Sequence, residues 1–368
     1  MKAMAKQSGL TLVELLIAST LGLILLLGVV QLFVSSSDSF RMAESIGRMQ
    51  ESGRLAQDVL GRAIRNADYW GCLQGVEVDS VLDPDGDDYD PDLHDFNGAP
   101  GVTFDVSDGS NNGVAGSVII SLKGVRSAGI RMSSTHQVSA SSSQIKLESL
   151  PSGLLDKSGV VMLSDCQNAV VFQLTSVNEN SLTIGHNTGS VVDPGNMKKV
   201  GGGCPNGSNS ANCFPDTYEN GEIFLPFTEI YRLSEDADGR RSMFLTRGIS
   251  GSSAKPVSLE LVSDVIEMEA QVGIGTQGDN VITSWLDVTN ANLATINSSY
   301  VKAVRISLLV RSPEDRVARQ RQQVCFPAWT DCSSSANLWE PADANDRHYY
   351  RVYTSTYSIR NRLLNTGT

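Results

Sequence analysis

LTLVELLIASTLGLILLLGVVQLFV, residues 10–34, is a run of 25 residues in which every side chain is apolar, small or uncharged polar except Glu14. As a helix rising about 1.5 Å per residue it would reach about 37 Å, enough to cross the ~30 Å hydrocarbon layer of a bilayer. Lys2 and Lys6 precede it, with no acid before Glu14, so the positive-inside bias keeps the short N-terminus in the cytoplasm and exports the rest. Two features oppose a cleavable secretory signal: the length of the run, and its passage through Ser35 into helical sequence without a break. A plain anchor leaves Glu14 unexplained, because a carboxylate in a membrane helix costs on the order of 3 kcal/mol even on the lenient insertion scale.

Past the apolar run, apolar or small residues recur at Phe40, Ala43, Ile46, Met49, Gly53, Ala56, Leu60, Ala63, Ile64 and Ala67. That three-and-four spacing predicts a continuing amphipathic helix with one stripe on a sheet and Arg41, Glu44, Arg48, Glu51, Arg54 and Asp58 in water. Gly47, Gly53 and Gly61 each cost about 1 kcal/mol in a helix interior and point to close packing or bending, not to a coiled coil. The two halves make one helix of some 55 residues.

From Gly71 onward short apolar runs alternate with Gly, Ser, Asn and Asp. Strands are expected at SVIISL from Ser117, AVVFQLTS from Ala169, SLTIGH from Ser181, EIFLPFTEIYRL from Glu222 and RSMFLTR from Arg241. Three more are expected at VIEMEAQVGIG from Val265, VKAVRISLLVRS from Val301 and YYRVYTSTYSIRN from Tyr349. A hairpin turns at Asp238-Gly239. The fold class is therefore α+β, a long N-terminal helix on an antiparallel β head with long insertions.

Net charge is −12, with no Lys/Arg cluster of the kind that grips phosphate backbones, so a nucleic-acid partner is not expected. Six cysteines form no C-x-x-C pair. Cys204 and Cys213 bracket one short loop and Cys325 and Cys332 another, which leaves Cys72 with Cys166 by elimination, one of fifteen connectivities. Disulfides suit an exported, oxidised head; metal binding and free buried thiols are the alternatives.

Ser8-Gly9 followed by LTLVELLIA, with Glu14 five residues past the glycine, resembles the class III signal of type IV pilins and type II secretion pseudopilins. The resemblance implies a leader peptide over residues 1–9, cut after Gly9 by a prepilin peptidase that then methylates Leu10. It divides the remainder into a transmembrane and filament-core half (10–37), an amphipathic half (38–70) and a periplasmic or extracellular head (71–368). It also implies that Glu14 meets the free amine of Leu10 of a neighbouring subunit in the filament core, a buried charge tolerable only when paired. Leu10 stands where phenylalanine is usual.

Ser164 to Cys166 with AVVFQLTS, LVSDVIEMEAQVGIG, VRISLLVRS and RVYTSTYSIRNR are similar to the large minor pilins of the PilW family. That resemblance implies a subunit that primes pilus assembly with other minor pilins, contacts the major pilin, sits at or near the tip and holds a pilus-tip adhesin there. Such a subunit lies in the inner membrane before assembly and in the surface pilus afterwards. A J-type pseudopilin of a type II secretion system shares the N-terminus, the hairpin and a block like LVSDVIEME. A membrane-anchored periplasmic binding protein or enzyme is a further alternative.

DPDGDDYDPDLHD, residues 83–95, is the densest acidic segment. Asp83, Asp85 and Asp87 alternate as at the start of a calcium loop, and Asp90 or Asp92 would complete the shell. Gly86 falls two positions early and His94 stands where a bidentate glutamate belongs, so a solvated acidic loop is the competing reading. No HExxH, GxSxG or P-loop spacing occurs and the four histidines are scattered, so catalysis is not expected. Trp329 and Trp339 read as loop packing or as a sugar or partner surface.

Overall fold

The computed structural model describes residues 11–73, 77–98, 100–139, 142–188, 192–199, 204, 207, 212–249, 251, 253, 255–335 and 338–363. One helix, Leu12–Asn66, runs for 55 residues. It ends four residues before the expected boundary at 70. Asp68 takes a left-handed φ of 61°, its N–H donates to the Lys123 carbonyl at 2.8 Å, and the chain turns there into the head.

Head strands form two main sheets. In the larger, Glu222–Glu235 is the organising strand. Val118–Arg131 pairs along one edge and carries Val102–Val106 on its far side. The other edge serves two partners in succession: Val160–Ser164 opposite residues 222–224, then Arg241–Arg247 opposite residues 229–235. Ala169–Gln173 with Asp79–Ser80, and Val257–Ser263, extend the sheet outward. Each strand expected from the sequence is present, and the Asp238-Gly239 hairpin joins Glu222–Glu235 to Arg241–Arg247.

The smaller sheet is antiparallel, in the order Ser284–Asp287, Val265–Ile274, Val301–Arg311, Tyr350–Ser358. Its alternation puts Val304, Ile306 and Leu308 under the long helix in one core that also takes in Met49, Ala56, Leu60 and Ile64. The opposite face buries Ile266 and Leu309 beneath Phe326 of the Cys325–Cys332 loop and beside Tyr350. Asp264, at a φ of 62° that aspartate accepts more readily than bulkier residues, joins the two sheets and pairs with Arg311 at 3.2 Å.

The disulfides are Cys72–Cys166, Cys204–Cys213 and Cys325–Cys332, the connectivity reached by elimination. The first ties the segment after the helix to the large sheet across a separation of 94 residues. Holding that long a loop closed removes much of the unfolded chain's freedom.

Candidate functional site

Gly9 and Leu10 lie outside the described residues. The helix begins with a cap: Thr11 Oγ1 accepts from the Glu14 N–H at 3.3 Å, and Glu14 Oε2 accepts from the Thr11 N–H at 3.0 Å and from Thr11 Oγ1 at 2.9 Å. This reciprocal capping box satisfies two donors that a helix start otherwise leaves open. Its signature, T-x-x-E, stands in the sequence as Thr11 to Glu14, and the sequence reading missed it by treating the glutamate as a membrane charge alone. Glu14 thus has a partner within its own chain.

The helix changes character along its length. No residue from Leu12 to Glu44 is buried, and Leu25, Leu32 and Phe33 stand more than 70% exposed. A hydrocarbon surface that water cannot solvate cheaply must be covered by lipid or by other helices. From Ser45 onward one face is buried against the head: Ser45, Met49, Gly53, Ala56, Gln57, Leu60, Gly61 and Ile64. Phe40 and Ala43, expected on the docked stripe, are exposed because the head begins below them. Arg41 reaches the head through an exposed ion pair with Glu314 at 3.2 Å.

The docked face is built on two glycine notches. A Cβ on Gly53 would lie 2.4 Å from the Tyr353 ring, and one on Gly61 would lie 2.4 Å from the Tyr357 ring. Eight helical residues rise about 12 Å and four strand residues about 13 Å, so the two glycines and the two tyrosines keep the same spacing. Between them Gln57 Nε2 donates to the Tyr353 carbonyl at 3.0 Å, and the Tyr357 hydroxyl donates to the Gln57 carbonyl at 2.7 Å and to its Oε1. Gly47 meets nothing within 4 Å, so of Gly47, Gly53 and Gly61 only the last two serve close packing.

Beyond the helix, Arg362 closes the junction. Its guanidinium donates to Asp68 Oδ2 at 2.5 Å and to the Val301 carbonyl at 3.0 Å, and Asn361 donates to the Ala67 carbonyl at 2.8 Å. The turn Arg360–Leu363 is thereby fastened to the end of the first helix.

Residues 4–30 match the family model described as Prokaryotic N-terminal methylation motif, and residues 230–361 match that described as Type IV Pilus-assembly protein W. The chain is pilin-like at its N-terminus and similar to the PilW family over residues 230–361. No curated protein and no solved structure gives a significant match. The second match spans the whole helix-bearing sheet together with the Arg241–Arg247 and Val257–Ser263 strands. The PilW family is a structural, pilin-like family and not a known enzyme family. The two matches imply contact with other pilus components and with the prepilin peptidase, and the motif with its apolar helix marks a membrane-anchored pilin.

In this pilin-like chain the acidic segment is spent partly on local structure. Asp83 Oδ1 accepts from the Asp85 N–H at 3.1 Å, and Asp90 Oδ1 accepts from the Asp92 N–H at 2.9 Å at the start of the short helix Pro91–His94. No three carboxylates among Asp83, Asp85, Asp87, Asp90 and Asp92 bring ligand atoms within 4.8 Å of one another among the described residues. Burial and the neighbouring Asp90 charge push the Asp92 carboxyl above its ordinary range. One described group does converge, Asp315, Asp346 and His348. Its carboxylates already accept from the Arg347 and His348 backbone N–H groups at 2.9 Å each and from the Tyr350 hydroxyl at 2.8 Å, which fixes the loop before the last strand.

His186 is a core residue. It stacks on Phe214 at 3.9 Å, and burial pushes its pKa down to about 3, so the ring stays neutral. Trp339 packs on Tyr350 at 4.9 Å beneath the C-terminal clasp.

Proposed function

We propose that this chain is a minor pilin of a type IV pilus, which assembles through its N-terminal helix with other minor pilins to prime filament growth and stands at or near the tip. The observation that carries this reading is the division of one unbroken helix into a bare apolar half and a docked half. The bare half has two environments in which its surface is satisfied: the inner membrane before assembly, with the head in the periplasm, and the core of a surface filament afterwards. The major pilin is then the neighbour toward the base and a tip adhesin the neighbour at the free end.

Glu14 is the assembly residue in this reading. Within the membrane the capping box holds its carboxylate on Thr11, and on assembly the methylated amine of Leu10 from an adjacent subunit becomes its counter-ion. An ion pair lacking one partner is strongly unfavourable in a low-dielectric core, which turns the pair into a register device.

Two substitutions separate the cap from the charge. Glu14→Gln keeps a capping residue at the third helical position, because glutamine caps as glutamate does, but removes the charge. Glu14→Ala removes both. Both variants are expected to be cleaved after Gly9 and absent from sheared pili. Wild-type incorporation of Glu14→Gln would refute the ion-pair role. Loss of pili and twitching on gene deletion, with protein secretion intact, supports the pilus; the reverse pattern assigns the chain to a type II secretion pseudopilus.

A further inference from the structure

Where the helix ends, its last turns, the large sheet and the C-terminal turn enclose a groove of about 710 Å³. Four arginines line it, Arg62, Arg65, Arg126 and Arg360, together with Tyr69 and Phe227. Glu229 is the single acid on the lining. It is buried, and it already neutralises Arg126 at 3.0 Å, lies 3.6 Å from Arg247 and accepts from the Tyr231 hydroxyl at 3.0 Å. Asp58, one helical turn back, holds Arg62 at 2.6 Å, an exposed pair of little strength. Arg65 and Arg360 have no ion-pair partner among the described residues. Four arginines against Glu229 and Asp58 leave a local charge of +2 on a chain whose total is −12.

The arginines are spread over an aromatic floor. Arg126 lies 4.6 Å above the Phe227 ring, and Tyr69, 40% exposed, and Tyr231 complete the aromatic lining. Guanidinium groups make bidentate pairs with carboxylates, and Arg and Tyr are residue types enriched in protein interfaces. Phosphates of a membrane surface are out of reach: from Val34, where the apolar run ends, to Asn66 is 32 residues, about 48 Å of helix.

We propose that this groove receives an aspartate-rich loop from the head of a neighbouring subunit; only the identity of the neighbour as a pilus subunit rests on the function proposed above. The chain itself carries a loop of that chemistry, with seven aspartates in residues 83–95. It lies on the opposite face of the large sheet: Glu229 and Tyr231 face the groove, whereas Ile230 and Arg232 face Asp90 and Asp92. A subunit with a cationic groove on one face and an anionic loop on the other makes a heterologous, head-to-tail contact with its neighbour and not a closed two-fold dimer.

The test uses the full chain in nonionic detergent micelles and a fluorescent peptide with the sequence of residues 83–95, read by anisotropy. Binding is expected, weakened at least about tenfold in Arg62→Glu/Arg360→Glu and lost when the aspartates of the peptide become asparagines. It should also weaken severalfold as ionic strength rises from about 0.05 to about 0.5 M. Equal binding of the asparagine peptide, unchanged binding by the double variant, or displacement by inorganic phosphate as effective as by unlabelled peptide would overturn the proposal. If the glutamate variant does not show the wild-type thermal transition, Arg62→Gln/Arg360→Gln takes its place, with the same loss expected. Because binding is read on purified protein, its failure is separable from failure of the Glu14 experiment, which is read in pili.

Discussion

Adding one methyl group at each of three glycines of the same helix should have opposite effects on stability. Gly47, Gly53 and Gly61 all lie within Leu12–Asn66, where glycine to alanine normally gains about 1 kcal/mol through backbone entropy. At Gly47 nothing lies within 4 Å of the new Cβ, so Gly47→Ala should show that gain. At Gly53 and Gly61 the Cβ would sit 2.4 Å from a ring carbon of Tyr353 or Tyr357, more than 1 Å inside ordinary contact. The Tyr357 ring is held by its hydroxyl on Gln57, and the backbone under both tyrosines is paired along one edge with Val301–Arg311. Overpacking of this kind costs about 1–3 kcal/mol. Gly53→Ala and Gly61→Ala should therefore be neutral to destabilising by about 2 kcal/mol, and fall roughly 1–3 kcal/mol below Gly47→Ala. The assay is urea unfolding of the full chain in nonionic micelles, followed by the near-ultraviolet tyrosine signal that reports the docked face. In a Tyr353→Ala background the Gly53→Ala penalty should disappear while the Gly61→Ala penalty remains. Stabilisation by Gly53→Ala equal to that by Gly47→Ala would refute the notch.

Two further outcomes follow from the head. Burial, with Glu267 and Asp287 nearby, pushes the Glu269 carboxyl up to about 7. A carboxyl raised in the fold favours the folded state while protonated, so its contribution is complete below the unfolded value near 4.5 and is lost as pH rises through about 7. Glu269→Gln should be more stable than wild type at pH 8 by roughly 1–3 kcal/mol and equal to it at pH 4, measured by thermal unfolding; a constant difference across that range contradicts the assignment. Arg362→Ala should cost about 3 kcal/mol in urea unfolding, since it strands Asp68 at the end of the helix with its charge unpaired.

The parts of the fold legible in the sequence are those with a single periodic signal. Val304, Ile306 and Leu308 alternate under the helix because one face of that strand meets a large core and the other a thinner cover. The strand Val160–Ser164 carries no such alternation: all five of its residues are buried, and a run covered on both faces has no period to read. Val257–Ser263 was hidden for the opposite reason, since it is an edge strand with Val257 and Leu259 turned to solvent. The helix stripe was read correctly from Met49 onward and wrongly at Phe40 and Ala43, because helical spacing reports which side is apolar and not where the covering surface stops. The arginine groove could not be seen at all, as Arg62, Arg126 and Arg360 are brought together only by the tertiary fold.

The head grips the long helix only from Ser45 onward, and everything from Leu12 to Glu44 projects as one rod of about 50 Å. A rod clamped at one end is an angular amplifier. A tilt of about 10° at the clamp would swing its far tip by about 9 Å, which is the distance between the axes of adjacent packed helices. Seating the two rings in their notches therefore aims the distant end, and sloppiness of a few degrees there would deliver the helix to the wrong slot among its neighbours.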